Sequence, residues 1–176
     1  MAKNTPSYAA NIATRVFLKK VGEHYLGRVF DTESGQGRED WNRIKNEVFG
    51  GECSYCGKTG KLEIEHLVMN NAEQCGLHHT GNVVPCCGKC NARMKTEEGA
   101  YVDWKTQLRS INQQSSDGID YCEKRLNRIL NHIHEEQYPN FTSDELAELK
   151  AIAKSLYEAV RGEPGKAFDQ YLLHIS

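Results

Sequence analysis

Cys53-x2-Cys56 and Cys87-x2-Cys90 form two short knuckles, each presenting a pair of thiols where the intervening backbone turns. Together they supply the four soft donors of a tetrahedral zinc site. A site closed by four thiolates has no open position for substrate, so this zinc is expected to be structural. Four buried free thiols are the alternative, and two independent pairs at this spacing argue against it. A zinc of this kind contributes on the order of 10 kcal/mol to folding, which is large beside the stability of an ordinary domain. Cys86-x3-Cys90 is also a permissible spacing, so Cys86 competes with Cys87, and Cys87 is preferred. Cys75, with His78 or His79 and Cys86, could form part of a second zinc site, but the spacing offers no fourth ligand. Cys122 falls on the apolar stripe of a helical segment and reads as a small core residue.

Between and across the knuckles run "EIEHL" (63–67) and "GNVVPCCGKCNARMK" (81–95). This order of residues resembles the HNH nuclease family. Its members set a strand ending in acid-His, a loop, an Asn before a second strand, and a helix opening with C-x2-C-N inside a two-knuckle zinc frame. The resemblance extends from Cys53 to Lys95 and says nothing about the flanks. It implies that His66 is the general base, that Glu65 and Asn91 are the protein ligands of a catalytic divalent ion, and that Asn82 holds the loop and orients the base. Two positions depart from the commoner pattern: the acid is Glu rather than Asp, and the last letter of the motif is Asn rather than His.

The implied chemistry is coherent. Hydrolysis of a phosphodiester needs an activated water, stabilisation of charge on the phosphorane, and help for a departing alkoxide. A neutral imidazole near its normal pKa can serve as base at pH 7. Oxygen donors such as Glu65 and Asn91 suit a hard Mg²⁺ or Mn²⁺, while the thiolates suit Zn²⁺. His78 and His79, in "GLHHTGN", are expected in the loop facing the cleft, either as phosphate contacts or as plain loop histidines. Arg93 and Lys95 are candidates for neutralising DNA phosphates, against a solvated helix face, and Arg15, Lys19 and Lys20 are weaker ones.

The 176 residues suit one domain of this size, and the formal charge of -2 does not by itself announce a nucleic-acid binder. The distribution says more: residues 1–22 and 82–95 carry bases and no acids, whereas 134–148 carries five acids and no Lys or Arg. Seven cysteines, an odd count with two tight pairs, fit a reducing compartment better than a disulfide framework. With no leader-like segment and no run approaching ~20 apolar residues, the expectation is a soluble cytoplasmic protein without a membrane partner.

The elements that must position these residues follow from periodicity. Tyr8, Ile12, Val16 and Phe17 predict an amphipathic helix ending near Gly22. "FDTESGQGRED" has loop composition, and Trp41, Ile44 and Val48 predict a short helix stopping at Gly50-Gly51. "KLEIEHL" alternates as a strand, "NVVP" is the next strand, and a helix beginning near Cys90 is predicted to run unbroken towards Gly99. Neighbouring strand residues point to opposite faces, so the strand must end or twist at Glu65-His66 for both to reach one site. Cys122, Leu126, Ile129, Leu130 and Ile133 form one helical stripe; Leu146, Leu149, Ile152, Ala153, Leu156 and Val160 form another, opened by the capping box Thr142-x-x-Glu145. Pro164 is expected to begin a last short helix carrying Phe168, Tyr171 and Leu172.

The fold class expected is α+β, mostly helical: an N-terminal helical segment (1–50), a zinc-stabilised ββα-metal core (51–100) and a C-terminal helical region (101–176) that joins the core in one unit. The function expected from the resemblance is a metal-dependent endonuclease cutting double-stranded DNA to 5′-phosphate and 3′-hydroxyl ends, of a restriction, defence or phage type. One site per chain would favour a homodimer for cutting both strands. The rival expectations are a strand-nicking subunit that relies on a partner, and a non-catalytic zinc module binding DNA or protein.

Overall fold

Thr5 caps the first helix, its Oγ1 accepting from the Tyr8 amide at 3.2 Å, and Pro6 opens the first turn. In the computed structural model, which describes residues 3–113 and 118–175, α1 spans Pro6–Leu26 and stops at Gly27 in the left-handed region (φ 73). The helix therefore passes through Gly22, and its buried face is not the apolar stripe that spacing predicts. Ala10, Thr14, Leu18 and Gly22 are buried, whereas Ile12 and Val16 are 41% and 55% exposed. Closeness decides this face: α6 lies along α1, and a Cβ on Gly22 would collide with the His78 carbonyl. Gly22 is a packing position rather than a stop.

Half of the segment with loop composition is also helical. Asp31 bends the chain by accepting from the Glu33 amide (3.0 Å) and the Ser34 hydroxyl (2.8 Å), and α2 then spans Gly35–Arg43, continuing as a π turn over Ile44–Val48. Strands β1 (Leu62–His66) and β2 (Val83–Cys87) pair antiparallel, with Leu62 opposite Cys87 and His66 opposite Val83. A 3₁₀ turn, Thr80–Asn82, leads into β2.

The helix predicted from Cys90 towards Gly99 is one turn only, α3, Gly88–Asn91. Its continuation is pre-empted by a side chain. Gln107 donates to the carbonyls of Cys90 (3.0 Å) and Ala92 (3.2 Å) and accepts from the Met94 amide (2.9 Å), taking the hydrogen bonds a longer helix would have made. The chain then opens into a turn that brings Lys95 opposite Tyr101.

Among the described residues three further helices follow: α4 (Trp104–Asn112), α5 (Gly118–Glu135) and α6 (Ser143–Ile175). The capping box at Thr142 forms as expected, with the Thr142 amide donating to Glu145 at 2.7 Å. Pro164 does not start a new helix but sits inside α6. It lies in the exposed stretch 161–175, where water can take the carbonyl that a proline leaves unpaired, and Phe168, Tyr171 and Leu172 stay outside the core.

The main core draws on every region: Phe30, Trp41, Ile44 and Phe49 from the N-terminal part, Tyr55, Leu67, Val83 and Val84 from the centre, and Trp104, Leu108, Cys122 and Ile129 from the helices that follow. A second cluster, Leu18, Cys75, Leu77, Leu149 and Ala153, fastens the loop after β1 to the α1–α6 pair. The architecture is thus α+β and mostly helical, with a two-stranded sheet at its centre. No helix among the described residues is long and apolar enough to cross a membrane.

Candidate metal centre and the His66 cleft

The sulfurs of Cys53, Cys56, Cys87 and Cys90 all lie within 4.8 Å of one another. Tetrahedral zinc with bonds of about 2.3 Å places its sulfurs roughly 3.8 Å apart, and Cys56 and Cys87 stand at 3.8 Å. The donor set therefore fits zinc. Thiolates this close cannot all be charged unaided. Hydrogen bonding with Cys86 and Cys90 holds the Cys53 thiol far below its ordinary value, hydrogen bonding with Cys53 drives Cys90 up, and burial raises Cys56. A central divalent cation removes that conflict.

Cys87 is the β2 member of the cluster, as preferred from spacing. Strand alternation turns the neighbouring Cys86 into the core, where it is fully buried with its sulfur 3.8 Å from that of Cys53. Among the described residues no second group of three metal-capable side chains occurs. Cys75 is buried in the second core cluster, its sulfur 3.5 Å from the Ala72 carbonyl, and Cys122 is a core residue as expected.

One face of the ββα unit opens into a cavity of about 660 Å³, lined by Glu65, His66, His78 and Asn91 and walled from outside by Arg15 of α1 and Tyr157 of α6. Strand β1 does end at the Glu65-His66 pair. Past it, the Leu67 amide donates to the Asn82 carbonyl (2.9 Å), and the Asn82 side chain closes the loop. Its Oδ1 accepts from the Val68 amide at 2.8 Å while Nδ2 donates to the carbonyls of Val68 (2.9 Å) and Leu77 (2.8 Å). Both ends of the 68–77 loop thus hang on one buried amide. Gly76 permits the closure, since a Cβ there would collide with the Val68 carbonyl.

Arg93 does not face solvent and is not available to a phosphate. Its side chain is 3% exposed and forms a salt bridge to Glu65 Oε1. It also donates to the carbonyls of His66 (2.9 Å), Leu67 (3.2 Å) and Val102 (3.2 Å). Tyr55 donates to the same Glu65 oxygen at 3.5 Å. Burial nevertheless raises the Glu65 carboxyl above its usual range, outweighing the arginine. Asn91 lines the cavity and donates to Glu63 at 3.2 Å. Lys95 remains exposed, its ammonium 4.8 Å from the centre of the Tyr101 ring at the cavity edge.

The two loop histidines part company. His79 is buried and structural, its Nδ1 accepting from the Gly81 amide at 3.0 Å to cap the 3₁₀ turn, so it is no phosphate contact. His78 lines the cavity, stacks on Phe30 (ring centroids 4.7 Å apart) and brings its Nδ1 to 3.0 Å from Nε2 of His66. Burial holds His66 down at about 3 and His78 at about 4, so both imidazoles are neutral at pH 7, and His66 lies well below the near-normal range expected of a base. Sequence spacing could not announce the contributions of Tyr157 and of the His66–His78 contact, because α6 and the Phe30 stack come from distant segments.

Buried neutral histidines make stability pH-dependent. Burial depresses His79 to about 4, and it lowers His132, whose Nε2 donates to the Thr80 and Val83 carbonyls. The unfolded chain protonates His79 below pH ~6.5 and the folded chain does not until about pH 4. Stability is therefore full above pH 6.5 and falls as the pH drops towards 4, by on the order of 3 kcal/mol for His79 alone. Urea unfolding at pH 7.5 and 4.5 measures this. The His79→Asn protein, which keeps an acceptor for Gly81, is expected to lose less, and an identical loss in both proteins would refute the assignment.

No family model, curated protein or solved structure matches the chain.

Proposed function

We propose that the chain is a zinc-framed, metal-dependent DNA endonuclease of the HNH type. The observation that carries this reading is the company of His66. The His66 imidazole lines a cavity beside Glu65 and Asn91, and the loop opposite is held by Asn82, all within one short unit framed by four cysteines. Neutral imidazole is the form in which a general base must start at pH 7.

Glu65 and Asn91 would hold the divalent ion, which when bound would neutralise a phosphate oxygen and the departing 3′ oxygen. Because the side-chain hydrogen bonds to Glu65 among the described residues, from Arg93 and Tyr55, both go to Oε1, Oε2 would be the atom to hold an ion. Arg15 at the cavity wall and Lys95 at its edge suit the flanking phosphates, which would make binding weaken steeply with salt. Double-stranded DNA is the substrate proposed, and a homodimer would allow both strands to be cut.

Supercoiled plasmid incubated with Mg²⁺ or Mn²⁺, and with chelator, tests this. Linear DNA with metal, none with chelator, and a loss of more than roughly a hundredfold in His66→Ala are expected. Open circles alone would indicate a nicking subunit. One observation favours a different reading: the commitment of Glu65 Oε1 to Arg93 suits a zinc module that binds without cutting. Failure to cleave any DNA, with His66→Ala behaving identically, would select it.

A further inference from the structure

We infer that His78 is a positioning residue that fixes the tautomer of His66 and leaves His66 Nδ1 as the nitrogen that accepts the proton. The inference rests on the nuclease reading and extends it to a residue outside the acid-His, Asn and Cys-Asn pattern.

The rings meet through Nε2 of His66 and Nδ1 of His78, 3.0 Å apart. At this distance one hydrogen lies between the two facing nitrogens, so one ring donates and the other accepts. The other nitrogen of His66 decides which. Among the described residues, Nδ1 of His66 has no hydrogen-bond partner and is not sealed in the interior without one, and the residue lines the cavity. It is the nitrogen that water and substrate can reach. To take a proton it must carry the lone pair, which puts the hydrogen of His66 on Nε2, donated to His78.

His78 is built to hold that acceptor still. Its ring stacks on Phe30 at 4.7 Å with 28° between planes, its carbonyl lies against Gly22 of α1, and the amide of the preceding Leu77 donates to the Tyr138 hydroxyl at 3.1 Å. The charged groups around the pair are Arg15 beside His66, and Lys19, Glu23 and Asp31 beside His78, where the neutral His79 also lies. Among the described residues, none of these hydrogen-bonds to either ring.

In the proposed step, water gives its proton to Nδ1 and its oxygen bonds to phosphorus. The bond from phosphorus to the 3′ oxygen breaks, and that oxygen leaves with the electron pair and is protonated by solvent. The imidazolium formed keeps its Nε2 proton on His78, so the acceptor that sets the tautomer also bonds the charged form.

Nitrogen-15 NMR of the full-length, zinc-loaded protein at pH 7 reads the tautomer directly. The expected result is a proton on His66 Nε2 in the unaltered protein and in His78→Asn, whose amide oxygen can stand where Nδ1 stood, and a mixture in His78→Leu. Plasmid cleavage should fall at least tenfold in kcat in His78→Leu with KM unchanged and recover in His78→Asn, both variants keeping their zinc. A proton on His66 Nδ1 in the unaltered protein would overturn the inference, as would equal cleavage losses in the two variants. Absence of cleavage by the unaltered protein would sink the nuclease reading, and the NMR result would still decide which ring donates.

Discussion

Replacing Cys90 by serine is expected to release zinc and unfold the chain. Cys90 is buried in α3, one of four sulfurs within 4.8 Å, and its carbonyl is where Gln107 fastens α4 to the central unit. The two-stranded sheet it helps to frame is too small to stand alone. A structural zinc contributes on the order of 10 kcal/mol, comparable to the whole stability of a domain at roughly 5–15 kcal/mol. Metal analysis and far-ultraviolet circular dichroism read the two losses together. Cys87→Ser should behave alike. Cys86→Ala should keep its zinc, because the Cys86 side chain points into the core, and pay only a small packing cost. A Cys90→Ser protein that stays folded with its metal would show that the cysteines have been divided wrongly between zinc and core.

That division was legible in the sequence because it rests on local facts. Two C-x2-C turns need only their own backbone to converge, and the alternation of Leu62, Ile64 and His66 needs only the pleat of one strand. What escaped depends on partners far along the chain. The buried face of α1 is set by the close approach of α6 more than a hundred residues later, which favours Ala10, Thr14 and Gly22 over the larger Ile12 and Val16. The single turn α3 ends where Gln107 supplies its hydrogen bonds, and nothing in "CNARMK" reveals that. The same holds for the helix through Pro164: an exposed stretch tolerates what a packed one would not.

His78 and His79 show the limit from the other side. Adjacent and identical, they were indistinguishable by type, yet one caps a 3₁₀ turn in the interior and the other faces the cavity. Chain direction after Cys75, a left-handed residue with φ 54, and the collision-free surface of Gly22 set which is which. Local composition identified the loop, and long-range packing sorted its residues.

Arg93→Met is expected to cost about 3–5 kcal/mol at pH 7.5, the penalty for leaving a buried charge without its partner. Read as a helix-surface cation, Arg93 should have been replaceable within a few tenths of a kcal/mol. Instead its guanidinium resolves the problem posed by Glu65-His66. Where β1 stops, the carbonyls of His66 and Leu67 lose the sheet, and Arg93 supplies their donors while neutralising Glu65. A lysine cannot reproduce this, having one compact donor group in place of a planar fork, so Arg93→Lys should recover little. Acid should partly rescue the variant. Burial already holds the folded Glu65 carboxyl above its unfolded value, and loss of the arginine raises it further. A raised carboxyl favours the folded state at low pH and loses that contribution as pH rises, so the penalty should shrink between pH 7.5 and 5.5. Arg93→Met combined with Glu65→Gln should likewise be less destabilised than Arg93→Met alone. Urea midpoints for the two proteins at both pH values test the argument. A penalty below 1 kcal/mol, unchanged by acid, would return Arg93 to the surface and reopen its assignment to DNA.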